Sequence, residues 1–183
     1  RCRYRIDGGA WQDEIHTIRL MDILLQEKRP VQTELLFSFR MDIGPEDMKE
    51  FYLAAEITDR LRACINGKDV VLSEQGWWRD KGFRTYDIRP YIRRGDNEII
   101  LKIDFRQPQN VYDVLFGENV LETEKNKLTL ETEIENIYLL GDFGVINRNG
   151  FSYSWRKELI CDPEFSIVKM PASVYGDDFT SQG

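Results

Sequence analysis

Apolar and polar residues alternate along four stretches of this chain, which is the period of a β-strand with one buried face. The apolar series are the odd-numbered residues of 35–41, 51–57, 61–65 and 99–105. Turn signals separate these stretches, among them Asn66-Gly67. The pattern predicts a mainly β fold, an antiparallel β-sandwich or jelly roll with a few short helices.

The stretches outside this pattern predict local elements at both ends of the sandwich. A small hairpin is expected over residues 3–14, and a helix over 17–27 with Thr17 as its cap. Ile18, Met21 and Leu25 recur at helical spacing and would form the buried face of that helix.

The region after residue 85 has a less regular pattern. One turn of helix is expected within 86–94, and two short helices within 111–127. One or two strands are expected within 128–140, and a closing hairpin is expected around Asp162-Pro163. These elements suggest three parts: a flanking element over 1–32, the sandwich over 33–175 and a tail over 176–183.

Charge and composition narrow the class of partner. Of the 183 residues 42% are hydrophobic, 31% are charged, and the net charge is −7. An acidic chain without a basic stripe argues against nucleic acid as a partner. No apolar run approaches the roughly 20 residues that span a bilayer, so no membrane association is expected either. Because the chain begins at Arg1, it resembles a piece of a larger protein, and its compartment, cytoplasmic or secreted, is left open.

The numbers and spacing of cysteine and histidine give little support for a metal site, a disulfide framework or a catalytic site. The chain has three widely spaced cysteines and one histidine, His16, so neither a zinc site nor a His-based catalytic device is predicted. Glu131, Glu133 and Glu135 would share one face if their segment is a strand. That face could be a sugar or cation site, or a solvated face, which is the interpretation we favour. We therefore predict no catalytic residue and no metal ligand.

The best ligand candidates are Trp77, Trp78, Arg79 and Asp80, in a segment predicted to be a loop. Sugars present C–H faces to aromatic rings and hydroxyl groups to charged, planar side chains, and this segment offers both. Tyr112 and Asp113 could line the same end of the sandwich. Packing in the core or against a neighbouring domain is the alternative role for the two tryptophans. We favour this role, because tryptophans in such loops often fill the end of a sandwich or contact a neighbouring domain.

The order of motifs over residues 33–106 resembles a known family. Ile65-Asn66-Gly67-Lys68, then Tyr86-Asp87-Ile88, then Gly95-Asp96-Asn97-Glu98 is similar to the galactose-binding-like jelly roll of family 2 and related bacterial glycoside hydrolases. Residues 133–145 resemble an accessory region of large bacterial glycosidases, some grouped near α-L-rhamnosidases.

The resemblance implies a non-catalytic domain that binds carbohydrate or supports the catalytic domain of a parent glycoside hydrolase. It implies no cofactor beyond a possible structural calcium. Carbohydrate and the parent's catalytic domain are therefore the expected partners. A structural spacer or protein-docking module is the first alternative, and an enzyme in its own right is the second.

Overall fold

The computed structural model describes residues 1–56, 62–118, 120–147, 151–153, 159–161 and 165–170. Within these ranges the chain is mainly β, with two sheets rich in antiparallel pairs, a separate two-stranded hairpin and a few short helices. The strands, in chain order, are β1 (Arg3–Ile6), β2 (Val31–Met41), β3 (Phe51–Ala55), β4 (Arg62–Ile65), β5 (Lys68–Val71), β6 (Glu74–Trp78), β7 (Asp80–Asp87), β8 (Gly95–Phe105), β9 (Tyr138–Gly141), β10 (Phe143–Asn147), β11 (Phe151–Tyr153), β12 (Leu159–Cys161) and β13 (Phe165–Lys169).

The larger sheet has the strand order β10-β13-β2-β8-β4-β5, and β1 also pairs with β2. Its centre is the long antiparallel pair of β2 and β8, which runs from Val31 opposite Phe105 to Met41 opposite Gly95. The smaller sheet has the order β6-β7-β3-β9. The helices are α1 (Thr17–Gln26), α2 (Gln109–Phe116) and α3 (Glu122–Lys125), and 3₁₀ turns occupy Pro45–Asp47 and Arg89–Tyr91.

Aromatic rings join the two sheets through a shared core. Phe51 of β3 is fully buried, and its ring centroid lies 6.2 Å from that of Phe39 on β2 and 5.3 Å from that of Phe143 on β10. The predicted apolar alternation is confirmed, because odd-numbered residues of β2, β3, β4 and β8 belong to one buried cluster. Ile57 and Leu61 of the predicted series lie outside the described residues.

The Asn-Gly turn and the Gly-Asp-Asn motif meet in one hydrogen-bonded network. Asn66 and Gly67 take positive φ angles of 50° and 81° between β4 and β5, as a tight hairpin turn requires. The Asn66 side-chain amide donates to Asn97 Oδ1 at 2.9 Å and to the Tyr91 carbonyl at 3.0 Å. Asn97 in turn holds the backbone of Arg93 and Gly95. These residues therefore have a structural role, because they connect the β4–β5 turn to the start of β8.

Helix α1 lies where the sequence places it, but its buried face is rotated relative to the predicted one. Leu20 and Leu24 are fully buried, whereas Ile18 is 55% exposed. Thr17 is the first helical residue rather than the cap, and its hydroxyl donates to Asn136 Oδ1. Met21 and Leu25 of the predicted face do pack against the core, so the prediction was wrong for Ile18 alone and missed Leu20 and Leu24. Apolar residues occur on more than half of the helix surface, and spacing alone therefore did not fix the orientation.

Three other local predictions differ from the structure. The segment 3–14 folds back through a turn at Asp7 and Gly8, and the Gln12 N–H donates to the Tyr4 carbonyl at 2.8 Å. It contains one strand, however, because β1 pairs with β2 and not with a second strand of a hairpin. Of the predicted 128–140 strand region only the last three residues form a strand, as the start of β9 (Tyr138–Gly141). The expected closing hairpin would pair the strands before and after Asp162-Pro163. In the structure β12 pairs with β11, and β13 pairs with β10. Asp162-Pro163 lies outside the described residues.

Residues 1–32 contact the sandwich closely. Strand β1 is hydrogen-bonded along Thr33–Leu36 of β2, and Cys2, Leu20 and Leu24 belong to the same buried cluster as the sheet residues. The division at residue 33 and the tail over 176–183 stay predictions. None of the helices in the described part of the chain has the length and apolarity that a bilayer crossing requires.

Candidate functional site

The Trp77–Asp80 segment forms the tip of a β-hairpin rather than the predicted loop. Trp77 and Trp78 end β6, Asp80 begins β7, and Trp78 pairs with Asp80 across Arg79. Arg79 takes the left-handed φ of 65° that so tight a connection demands. Register shifts on both sides of Gly76 and Trp77 break the period of two. This irregularity is the reason that alternation along the sequence did not reveal the strand.

The outer face of the smaller sheet, which points away from the larger sheet, is aromatic. Phe51, Leu53 and Ala55 of β3 face the core, so the intervening residues face outward. The rings of Trp78, Phe83 and Tyr138 pack against one another there, with centroids 5.1 to 6.2 Å apart. These three residues, which we name the aromatic cluster, come from β6, β7 and β9.

The small side chain of Ala54, in the middle of the sheet, allows the rings of the aromatic cluster to contact one another. Strand β3 separates β7 from β9, and Ala54 on β3 lies opposite both Thr85 and Tyr138. Because alanine carries only a methyl group, the rings of Phe83 and Tyr138 can meet above it, with centroids 5.8 Å apart. Ala54 is consequently fully buried although it lies on the outer face.

A concavity of about 410 Å³ adjoins the aromatic cluster on the same face. Ligand pockets commonly enclose about 300 to 1,000 Å³, so this space suits a small molecule or one to two sugar units. Trp77, which is 57% exposed, stands at its edge. Aromatic, hydroxyl, amide and carboxylate side chains line it together, from Tyr52, Trp77, Trp78, Thr85, Gln75 and Glu50.

Two carboxylates converge at the hairpin end of this face. A Cβ atom placed on Gly82 would lie 2.7 Å from Glu56 Oε1 and 3.0 Å from Asp80 Oδ1, so a larger residue at this position would displace the Glu56 carboxylate. Asp80 Oδ1 also accepts the Gly82 backbone N–H at 2.7 Å. Burial raises the pKa of the Glu56 carboxyl, and the nearby carboxylates of Glu133, Asp80 and Glu135 raise it further.

Arg79 covers part of the aromatic cluster. Its guanidinium carbon lies 5.0 Å from the Trp78 ring centroid, within cation–π range. The guanidinium is exposed and can donate to a ligand that approaches along the ring. Arg79 therefore combines a stacking contact with free hydrogen-bonding capacity beside the concavity.

Tyr112 and Asp113 lie on α2, apart from the residues that line the concavity. Tyr112 is 5% exposed, and its hydroxyl has no hydrogen-bond partner within the described ranges. Asp113 is exposed and accepts a hydrogen bond from Gln109 at 2.9 Å. The packing of α2 against Lys28, whose ammonium lies 4.4 Å from the Phe116 ring centroid, connects it with the end of α1.

The other acidic residues considered as a sugar or cation site do not come together in the structure. Glu131 forms an ion pair with Arg106, and Glu133 and Glu135 precede β9 in a segment that is not a strand. The prediction that these three carboxylates share a strand face was therefore wrong. Asp177 and Asp178 lie outside the described residues. No group of three metal-ligating side chains occurs among the described residues.

Asp142 follows β9 directly and connects it by hydrogen bonds to the residues that precede β3. Desolvation opposes its ionisation, but hydrogen bonds from the backbone N–H groups of Lys49 and Glu50 lower the pKa of its carboxyl below the ordinary value. The backbone of Glu50 passes so close to Gly141 that a Cβ atom there would lie 2.5 Å from the Glu50 carbonyl oxygen. Position 141 therefore requires glycine. This anchorage holds β9, and with it Tyr138, against the sheet.

Sequence reasoning found Trp78 of the aromatic cluster and Trp77 at the edge of the concavity, and it missed the other residues of this face. Trp77 and Trp78 stood out by composition. Phe83, Tyr138 and Tyr52 were not identified as ligand candidates, because only the sheet order brings them together. One signal was present in the sequence: the outward series of β3 begins with Tyr52 and contains the small Ala54, an unusual composition for a solvated strand face.

Comparison with known proteins gives no assignment for this chain. No family model matches the sequence, no curated protein matches it, and no solved structure matches the fold.

Proposed function

We propose that the outer face of the smaller sheet binds carbohydrate, and that the chain serves as a non-catalytic accessory domain of a larger glycoside hydrolase. The observation that carries the proposal is the adjacency of the aromatic cluster to a concavity lined by polar side chains. The resemblance of residues 33–106 to galactose-binding-like jelly rolls supports the same function. That the two sheets form a jelly roll of this kind is part of the proposal.

The chemistry of the face suits a sugar better than a purely apolar ligand. A pyranose ring has C–H faces that pack on aromatic rings and a rim of hydroxyl groups that require partners. Trp78 and Tyr138 supply ring surface that is partly accessible. Thr85 and Tyr52 supply hydroxyl groups, while Glu50 and Gln75 supply carboxylate and amide oxygens at the concavity. Such a mixture satisfies a polar ligand without leaving buried groups unpaired.

Docking of a neighbouring protein domain is the second candidate function. Trp77 is a large apolar side chain with more than half its surface exposed, and exposed tryptophans are frequent anchors at interfaces. An interface of this kind would use the tryptophan side chains for packing and would show no affinity for free sugars. Both candidates place Trp77 at the contact, so binding measurements must separate them.

Replacing Trp77 by alanine is expected to weaken glycan binding by about tenfold while leaving the melting temperature nearly unchanged. The substitution removes exposed stacking surface that contributes roughly 1 to 2 kcal/mol in contact with a ligand. Trp78→Ala should weaken binding further and should also lower stability, because Trp78 packs on Phe83 and Tyr138. Glycan-array screening followed by isothermal titration, with galactose and rhamnose included, measures the effect.

Trp11→Ala provides the matched control, since Trp11 stacks under Arg5 beside the larger sheet. It should leave any glycan affinity unchanged. If no glycan binds the unaltered chain, or if Trp77→Ala and Trp11→Ala change affinity equally, the carbohydrate proposal fails. Capture of the parent's catalytic domain by the unaltered chain but not by Trp77→Ala would then favour docking.

A further inference from the structure

Carboxylates predominate among the charged residues around the aromatic cluster and its concavity. Glu56 and Asp80 converge beside Gly82, and Glu133 and Glu135 lie close enough to act on Glu56 electrostatically. Glu50 lines the concavity. Arg79 and Lys81 are the basic residues of the same hairpin, and Arg84 is already paired with Glu74 at 3.2 Å.

The position of Glu56 makes its charge relevant to a ligand on this face. It directly follows Ala55, which lies opposite Arg84 in the sheet register. Continuing the register places Glu56 beside Phe83, on the outward side together with Tyr52 and Ala54. Its carboxylate therefore lies at the margin of the aromatic cluster.

From this charge distribution we infer that the face selects uncharged and amino sugars and rejects uronic acids and sulfated sugars, with Glu56 as a specificity-determining residue. The inference rests on the proposed carbohydrate function and adds the ligand class. A carboxylate or sulfate on the ligand would lie near like charges, foremost the half-buried carboxylate of Glu56 and the exposed carboxylate of Asp80, which both approach Gly82. A protonated amine would be attracted by the same charges and by the faces of the aromatic rings.

The test compares sugars that differ only in charge. Cellotetraose, its C6-oxidised uronate and the glucosamine tetramer form one such series, and the corresponding galacto-oligosaccharides form a second. Titrations at about 0.15 M ionic strength keep screening constant, with a Debye length of about 8 Å. We expect each uronate to bind at least about fivefold more weakly than its neutral parent, and the amino sugar to bind at least as tightly as the parent.

The residue assignment is tested with variants that keep shape and remove charge. Glu56→Gln should reduce the discrimination against uronates by about two- to threefold, since one of several carboxylates is neutralised. Asp80→Asn is a second variant for the case that Glu56→Gln folds poorly, because the asparagine oxygen can still accept the Gly82 N–H. Glu98→Gln is the matched control, since Glu98 is exposed on β8 of the larger sheet, and it should leave the discrimination unchanged.

Two results would overturn the inference while leaving the proposed function intact. One is a uronate that binds as tightly as its neutral parent. The other is discrimination that Glu56→Gln, Asp80→Asn and Glu98→Gln change to the same extent. A chain that binds no sugar of any charge would instead refute the proposed function, and the selectivity with it.

Discussion

Replacing Asn97 by leucine is expected to lower the free energy of unfolding by about 3 kcal/mol, the first of two large stability effects. Asn97 is 1% exposed. Its Oδ1 accepts hydrogen bonds from the Asn66 side chain and the Arg93 N–H, each at 2.9 Å. Its Nδ2 donates to the carbonyls of Arg93 and Gly95. Leucine has a similar shape but removes all four hydrogen bonds, and a buried group left without a partner costs about 1 to 3 kcal/mol. The total stays near the cost of one such group, because Arg93 is exposed and Asn66 and Gly95 are only half-buried, so water can replace part of the lost bonds.

Thermal and urea unfolding measure the change, which corresponds to a drop in melting temperature of roughly 6 to 12 °C for a chain of this size. Asn110→Leu serves as the control, because Asn110 is exposed on α2, and a change within about 0.5 kcal/mol is expected there. Equal effects of the two substitutions would show that the network contributes no more than an ordinary surface residue.

Phe51→Ala is expected to cost about 3 to 5 kcal/mol, the second large effect. Phe51 is fully buried on β3 and contacts Phe39 and Phe143, both of which belong to the larger sheet. Truncation removes the ring that joins the two sheets and leaves a cavity between them. The neighbouring rings cannot fill that cavity without moving their strands, because each is fixed in a sheet register.

Phe165→Ala makes the same chemical change at a position on β13 that is 44% exposed. Its expected cost is below about 1 kcal/mol, since little apolar surface returns to water. Denaturant unfolding of both variants gives the comparison. A loss below about 1 kcal/mol for Phe51→Ala would mean that the sheets are held together by other contacts and that Phe51 has no special role.

The central strands could be predicted from the sequence because each buries one regular face. In β8 every second side chain from Ile99 to Phe105 is buried, so the period of two appears directly in the residue types. Strand β6 could not be found in this way. It is short and irregular in register, and Trp77 and Trp78 are adjacent rather than alternating.

The candidate site was harder to predict than the fold, because its residues are distant in sequence. Tyr138 joins Trp78 and Phe83 only because β9 pairs with β3, which in turn pairs with β7. Local patterning carries no information on which strands become neighbours in a sheet. Glu56 is an even-numbered residue of 51–57, so the alternation predicts only that it lies on the polar face of its strand. Its closeness to Asp80 depends on the hairpin geometry at Gly82.

The long pairing of β2 with β8 has a consequence for how the chain reaches its fold. Met41 lies opposite Gly95, so the centre of the larger sheet forms only after the whole intervening segment has been brought into a closed loop. The entropy of that closure must be offset before the pairing stabilises the chain. Refolding is therefore expected on the millisecond-to-second timescale that is typical of sandwiches with non-local pairing. Until β2 and β8 meet, their apolar residues stay exposed, and the unpaired strands are open to association with other chains.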